Sequence, residues 1–348
     1  MAAGFPSFNV GLMFDDSRYD GRMPYRRCGD SGLKLPAVSL GFWHNFGHVD
    51  DLQEGRRIMH RAFDRGITHF DLANNYGPPA GSAEENVGRI LIEDFVCHRD
   101  ELVISTKAGH DMWQGPYGDW GSRKHLLASL DQSLKRLRLS HVDIFYSHRP
   151  DPHTRLEETM SALATAVTSG KALYVGLSKY PLKKLKKAVK ILKDMGIRTL
   201  VYQPPYSILN RWPETEGILD WLLDEEIGCA VFSPLAQGLL TPKYLNGIPE
   251  GSRAARREGF LQIEQVEAQM EKVRALGDLA AAAGMPLHHM AMQWALKHPA
   301  VTSAIIGART VAQLDDTLAS LHATEIDDEL SAAIDAVSPM VDQKEAED

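Results

Sequence analysis

Residues 102–148 read LVISTKAGHDMWQGPYGDWGSRKHLLASLDQSLKRLRLSHVDIFYSH, and this stretch contains the unit that the rest of the chain repeats. It opens on a nearly unbroken apolar run, 102–106, and passes through a glycine-rich loop. A segment at 122–137 then places Leu126, Leu127, Leu130, Leu134 and Leu137 at helical spacing behind a serine start. A second apolar run, 142–147, follows. Runs that are continuously apolar rather than alternating belong to strands covered on both faces. A strand–helix–strand order therefore points to parallel strands joined by outer helices.

Working outward, the same alternation occurs eight times, with apolar runs at 38–42, 67–72, 102–106, 142–147, 173–177, 199–202, 229–232 and 302–306. Amphipathic helices are expected at 51–65, where Ile58, Ala62 and Leu52 face inward, and at 181–195, where Pro181 suits a first helical turn. A hairpin is expected before the first unit, its arms at 25–28 and 33–35 around GDSG. Eight units without a linker or a shift in composition predict a (β/α)8 TIM barrel. A doubly wound sheet needs fewer units and usually carries a glycine fingerprint after its first strand, and no GxGxxG occurs. The seventh unit departs from the pattern: a loop rich in Gly, Pro and Arg spans 233–262. Two helices are expected within 266–298, and a closing helix carries Ile326, Leu330, Ile334 and Val337. The chain is thus read as a single domain, 1–348, with its core at about 22–340, an N-terminal extension at 1–21 and a short acidic tail at 341–348.

Composition narrows the function. The 348 residues carry 46 acidic and 38 basic side chains, a formal charge of −8, with 44% hydrophobic and 24% charged residues. That balance argues against a disordered chain and against nucleic-acid binding driven by phosphate contacts. No apolar run approaches a bilayer-spanning length, so no membrane insertion is expected, and the first residues lack the charge-then-apolar order of a secretory signal. Three scattered cysteines without CxxC indicate a reducing, cytoplasmic setting. The six lysines of 181–196 fall opposite Leu182, Leu185, Val189 and Leu192, as on an outer barrel helix. His44, His48 and the pair His288–His289 lack HExxH spacing or a third carboxylate partner, so no metal is expected. Met285, Met290 and Met292 read as core filler.

In a barrel, side chains at the carboxyl ends of the strands converge on one mouth. The second strand ends in Asp71, with Tyr76 in the loop beyond; the third ends in Lys107; the fourth ends in His148, with Arg149 beside it. A phenol is a poor acid near neutrality. A neighbouring ammonium stabilises its phenolate, a carboxylate holds that lysine, and a histidine polarises a carbonyl by hydrogen bonding. Together these groups protonate a carbonyl oxygen as charge develops on it. None of them carries a hydride, so reduction calls for a borrowed cofactor.

The motifs DLANNYGPPAGSAEENVGR (71–89), STKAG (105–109), DIFYSHRPD (143–151), VGLSKY (175–180), QPPYSILNR (203–211), FSPLAQGLLTPKY (232–244) and IIGAR (305–309) together resemble the aldo-keto reductase superfamily. The likeness is strongest to bacterial L-glyceraldehyde 3-phosphate reductases, relatives of the β subunits of voltage-gated potassium channels. The resemblance implies an NADP(H)-dependent enzyme that reduces small aldehydes and ketones, with L-glyceraldehyde 3-phosphate and methylglyoxal as candidate substrates. It implies a catalytic tetrad of Asp71, Tyr76, Lys107 and His148, in which Tyr76 is the general acid and Lys107 lowers its pKa.

For the cofactor, the resemblance implies contacts from Trp43 and Asp71. Ser178 and Gln203 are implied at the nicotinamide carboxamide, with Phe232 stacked on the ring. Ser233, Leu235, Gln237, Gly238, Lys243 and Arg253 are implied around the pyrophosphate, and Gly307, Arg309 and Gln313 at the adenosine end. The relatives commonly carry serine, glutamate and asparagine where this chain has Arg309, Asp316 and Thr317. The substrate pocket is expected to be lined by Trp43, Tyr76, Trp113, Tyr117, His148 and Arg149. A homo-oligomer is left open.

Two other classes compete with this reading. A channel-β-subunit-like interaction or regulatory protein would keep this fold while docking on a membrane partner. A Schiff-base aldolase would use Lys107 as its amine, but a lysine paired with Asp71 stays charged and is a poor nucleophile.

Overall fold

The computed structural model describes residues 14–244 and 263–340. A short antiparallel hairpin, β1 (Tyr25–Arg27) and β2 (Lys34–Pro36), precedes eight parallel strands. These are β3 (Val38–Gly41), β4 (His69–Asp71), β5 (Val103–Ala108), β6 (Val142–Ser147), β7 (Ala172–Ser178), β8 (Thr199–Gln203), β9 (Gly228–Phe232) and β10 (Val301–Ile306). They pair in chain order, and β10 returns to β3, so the sheet closes into a (β/α)8 barrel. Every residue of β4, β5, β6, β8 and β10 is buried, which is why those runs read as continuously apolar.

The outer layer begins with α1 (Leu52–Asp64), α2 (Ser82–Asp94), α3 (Arg123–Leu137), α4 (Leu156–Thr168) and α5 (Leu182–Asp194). It continues with α6 (Trp212–Thr215), α7 (Ile218–Asp224), α8 (Ile263–Ala282), α9 (Leu287–Lys297), α10 (Val311–Ala319) and α11 (Asp328–Val337). Ser122 caps α3 by accepting from the His125 amide, and Asp51 caps α1 by accepting from the Gln53 amide. Pro181 stands one residue outside α5, at its cap, rather than in the first turn. On α1, Ile58 and Ala62 are buried as expected, Leu52 is only half-buried, and Met59 and Phe63 join them. Gly88 of α2 has a packing reason: a Cβ there would lie 2.2 Å from the Arg136 carbonyl oxygen of α3.

The expected strand at 67–72 is shorter than its apolar run. Backbone pairing of β4 with β3 covers Leu40–Phe70 and Gly41–Asp71, although the Leu72 amide still donates to the Ser105 carbonyl at 2.9 Å. The long segment after β9 begins with two single turns of 3-10 helix, Ala236–Gly238 and Pro242–Tyr244, and the rest of it, Arg253 included, lies outside the described residues. Of the N-terminal extension, Phe14 is buried with its ring 4.9 Å from Phe63 and 4.8 Å from Phe95.

Apolar residues form two clusters. The larger fills the space between the strands and the helices. The smaller lies inside the barrel and includes Val103, Ile144, Tyr146, Ala230 and Ile305, with Cys28 and Leu35 of the hairpin against it. The remainder of the interior is polar, and that polarity leads to the site.

Candidate active site

Alternate residues of a strand face the same side, so His69 and Asp71 of β4 point into the barrel together, as do Ser105 and Lys107 of β5. Asp71 lies opposite Ser105 in the parallel register. Lys107 Nζ donates to Asp71 Oδ2 at 2.6 Å and to the Leu72 carbonyl at 2.6 Å. Asp71 Oδ1 accepts from Ser105 Oγ at 2.6 Å and from Gln203 Nε2 at 3.1 Å. The Lys107 side chain is wholly buried. Burial pulls its ammonium below the ordinary lysine range, against the opposing pull of Asp71.

Tyr76 reaches this pair from the loop after β4. Its own carbonyl accepts from the Gly81 and Ala83 amides, which ties the loop to the start of α2. Lys107 Nζ lies 5.1 Å from the Tyr76 ring centroid, and the His148 ring stands edge-on to it at 5.9 Å. The expectation that Lys107 lowers the Tyr76 pKa is not met: burial, with the Asp71 charge adding, pushes the phenol well above its ordinary value. Desolvation is the larger of the two causes, and the phenol keeps its proton. Burial and the positive charge of Lys107, with His110, Lys179 and Arg149 around it, hold His148 well below the usual histidine range, as a neutral imidazole.

Asp71, Tyr76, Lys107 and His148 thus meet at the carboxyl ends of β4, β5 and β6. Ser178 and Gln203 are also joined there, since β7 and β8 pair them directly and Ser178 Oγ donates to the Gln203 carbonyl at 2.8 Å. Phe232 ends β9 with a half-buried ring. Ser233 (φ 56°) and Gln237 (φ 57°) adopt left-handed backbone that turns the loop back on itself, with Leu235 and Gly238 half-buried between and beside them. Lys243 is exposed in the second turn. Trp43 is half-buried with its ring 4.3 Å from His44.

Where adenosine contacts were expected, Gly307, Arg309 and Gln313 are exposed, and the Arg309 amide donates to Gln313 Oε1 at 3.0 Å. Of the three departures from the relatives, Arg309 is exposed, and the other two make contacts within the protein. Thr317 Oγ1 donates to the Gln313 carbonyl, and Asp316 Oδ2 lies 2.8 Å from His288 Nε2. Asp316 is also the carboxylate partner that the histidine pair lacked in the sequence, although His289 Nε2 already donates to the Asp316 backbone carbonyl at 2.8 Å.

The substrate-side expectations divide. Arg149 is held by protein partners: it donates to the Gly109 carbonyl at 2.7 Å and to both Asp119 oxygens, and it stacks on Trp120 at 3.6 Å. Trp113 packs on His125. Tyr117 is 53% exposed, with the Lys124 ammonium 5.3 Å from its ring centroid. Two groups escaped the sequence reading. His110 packs edge-on against His148 with ring centroids 4.5 Å apart, and burial pushes it down to about 4. Lys179 holds its ammonium 5.6 Å from the Phe232 ring centroid. Lys179 directly follows an apolar strand, the same signal that singled out Lys107.

The donor set suits a dinucleotide cofactor. Asn74 Nδ2 and Oδ1, Asn75 Oδ1 and His148 Nδ1 are buried polar atoms without protein partners, all just beyond strand ends. Of these residues, His148 also packs its ring against those of Tyr76 and His110.

Comparison with known proteins agrees with this geometry. The pattern of the aldo/keto reductase family matches residues 37–339. L-glyceraldehyde 3-phosphate reductases from two Escherichia coli strains are similar to the chain. The O157:H7 protein is 56% identical over 319 residues, covering 90% of this chain and 92% of that protein. The K12 protein is 57% identical over 306 residues, covering 87% and 88%. A putative voltage-gated potassium channel subunit beta from Schizosaccharomyces pombe is 34% identical over 322 residues, covering 90% of this chain and 91% of its own. Among solved structures, an aldo-keto reductase from Bacillus halodurans in its holo form superposes with a TM-score of 0.75 at 25% identity, covering 92% of this chain and 97% of that one.

Proposed function

Because the chain belongs to the aldo/keto reductase family and is an oxidoreductase, we propose that it uses NADPH to reduce small aldehydes and ketones, with Tyr76 as the acid. L-glyceraldehyde 3-phosphate is the leading substrate, since two relatives at 56% and 57% identity carry that name, and methylglyoxal is a second candidate. The observation that carries the reading is the packing of Tyr76 between the Lys107 ammonium, 5.1 Å from its ring, and the neutral His148, 5.9 Å away.

NADPH, when bound, supplies the hydride. Ser178 and Gln203 would hold its carboxamide and Phe232 its ring, while Trp43 and Asp71 border that end. Ser233, Leu235, Gln237, Gly238, Lys243 and Arg253 would meet its pyrophosphate, and Gly307, Arg309 and Gln313 its adenosine phosphate. Around the carbonyl, this chain's residues do the proton work. Burial keeps the Tyr76 phenol protonated in the resting site, the state an acid needs. Once the proton passes to the carbonyl oxygen, the phenolate left behind faces the Lys107 ammonium, which Asp71 and the Leu72 carbonyl fix in place. His148 is neutral and donates an N–H to the same oxygen, a bond that strengthens as charge builds there. The Schiff-base alternative is disfavoured: Lys107 is wholly buried and its ammonium already donates twice.

The test is a panel of aldehydes, with glyceraldehyde 3-phosphate and methylglyoxal among them, assayed with NADPH and with NADH on wild type and Tyr76→Phe. Loss of the acid should lower kcat by about 10²–10⁴ and leave NADPH binding nearly unchanged. Wild-type turnover in Tyr76→Phe would remove Tyr76 from the mechanism. No turnover by wild type on any aldehyde, with capture of a membrane protein, would instead support the interaction role that the channel-subunit relatives' names describe.

A further inference from the structure

His69 is a fully buried histidine in the middle of the barrel, two residues before Asp71, and the reduction as described does not use it. Both ring nitrogens are engaged: Nδ1 lies 2.8 Å from Ser39 Oγ and Nε2 lies 3.0 Å from Ser105 Oγ. Ser39 Oγ lies in turn 2.6 Å from Ser303 Oγ of β10. The direction of each bond can be worked out from the top. The Asp71 carboxylate receives the Lys107 ammonium, and its other oxygen only accepts, so Ser105 Oγ must spend its single proton on Asp71 Oδ1. Ser105 Oγ then accepts from His69, which places the ring proton on Nε2. Burial pushes His69 down to about 4, so the ring is neutral and Nδ1 is an acceptor. Ser39 Oγ must therefore donate to Nδ1, and Ser303 Oγ must donate to Ser39. No other assignment gives each hydroxyl one proton to donate and leaves neither two donors nor two acceptors facing each other.

We propose that His69 is a positioning residue for the reduction. With Ser303, Ser39 and Ser105 it forms a one-way line of hydrogen-bond donors that ends on Asp71 Oδ1 and fixes the carboxylate to which Lys107 is anchored. The proposal rests on the reading of Tyr76, Lys107 and Asp71 as the reacting group of the site. Hydrogen bonds aligned in one direction polarise one another, so the last donor in the line binds its acceptor more strongly than a lone serine does. The line spans four neighbouring strands, β10, β3, β4 and β5. It couples the orientation of the carboxylate to the closure of the barrel, where β10 meets β3. Gln203 supplies a second donor to the same oxygen from the opposite wall, at 3.1 Å. The two together leave the carboxylate one orientation, with Oδ2 toward Lys107.

The distant member Ser39 offers the cleanest test, because it touches neither Asp71 nor the mouth. Ser39→Ala removes the donor to Nδ1, so only the Ser105–Asp71 bond still favours the proton on Nε2, and that form loses much of its preference. With the proton on Nδ1 the ring accepts from Ser105, whose hydroxyl turns away from Asp71. In the full-length protein labelled with 15N-histidine, wild type should show His69 as one neutral tautomer protonated at Nε2 from pH 6 to 8. Ser39→Ala should show the Nδ1–H form or a mixture. Its kcat for aldehyde reduction should fall about three- to tenfold, with KM and NADPH affinity unchanged, and Ser39→Thr, which keeps the hydroxyl, should recover it. An Nδ1–H tautomer or a charged ring in wild type would overturn the proposal, and needs no variant to be stable. Unchanged kcat in Ser39→Ala beside an active wild type would also overturn it while leaving the reductase reading intact. If wild type reduces no aldehyde, that reading fails, and the tautomer result still decides the direction of the line.

Discussion

Removing the charge from Lys107 offers a quantitative check on how the centre of the site is held. In Lys107→Met the side-chain volume is nearly kept, but both donations of Nζ are lost, the one to Asp71 Oδ2 and the one to the Leu72 carbonyl. The Asp71 carboxylate, only 4% exposed, then stays buried with Ser105 and Gln203 as its remaining donors. Breaking a buried ion pair from one side costs about 3–5 kcal/mol. Two surviving donors place this case at the lower end, about 3 kcal/mol. With an unfolding entropy of about 2.1 cal/mol/K per residue and 348 residues, that loss corresponds to roughly 4 °C in Tm. The double variant Asp71→Asn/Lys107→Met should be no less stable than the single one, because the uncompensated charge is gone. Both should lack reductase activity. Thermal unfolding followed by circular dichroism, checked against urea midpoints, gives the comparison. A Tm within 1 °C of wild type for Lys107→Met, or a double variant whose loss is the sum of the two singles, would refute the picture of a charge-balanced buried pair.

Two further outcomes follow from the interior. His69 has its folded pKa pushed down to about 4, against about 6.5 unfolded, so the unfolded chain binds the extra proton between these values and stability falls as pH drops below about 6.5. At pH 5 this single group accounts for about 2 kcal/mol, and a His69→Gln variant should show a flatter dependence of unfolding free energy on pH between 7.5 and 5; an equally steep curve would count against the assignment. Gly176 of β7 faces the Tyr146 ring, where an added Cβ would lie 2.3 Å from Cε1 and 2.4 Å from Cδ1. Gly176→Ala should therefore cost about 1–3 kcal/mol and shift a ring that lies 5.6 Å from Lys107 Nζ, so both Tm and kcat should fall, and an unchanged Tm would show that the interior yields more readily than its packing implies.

The barrel was legible because its strands are covered on both faces, and a strand in that position shows itself as an apolar run whatever its neighbours are. The centre of the site was legible for a related reason. Asp71, Lys107 and His148 each stand directly after or at the end of such a run, where a charge inside a closed sheet needs a purpose. The pKa of Tyr76 was not legible, because it depends on the balance of burial, Lys107 and Asp71 in three dimensions, and burial prevails. The same holds for Arg149, which looks like a free cation beside His148 in the sequence. Its partner Asp119 lies thirty positions back, across a loop whose course cannot be read from composition.

Polar residues inside apolar runs are the signal that went unread. Ser39, His69, Ser105 and Ser303 are polar residues within strands of the barrel, and each is fully buried. A buried hydroxyl or imidazole without a partner costs about 1–3 kcal/mol, so four such groups in four neighbouring strands imply one another's presence. The sequence alone leaves open which meets which. Ser39 and Ser303 are 264 positions apart, and they touch only because β10 pairs with β3 in the register that sets Ile305 beside Ser39. Whether two interior residues share a layer depends on the stagger at which the barrel closes, and that stagger is fixed by the whole ring of strands rather than by any one of them. Polar strand residues therefore announce an interior network before the structure is known, and only barrel closure turns them into a line that ends on Asp71.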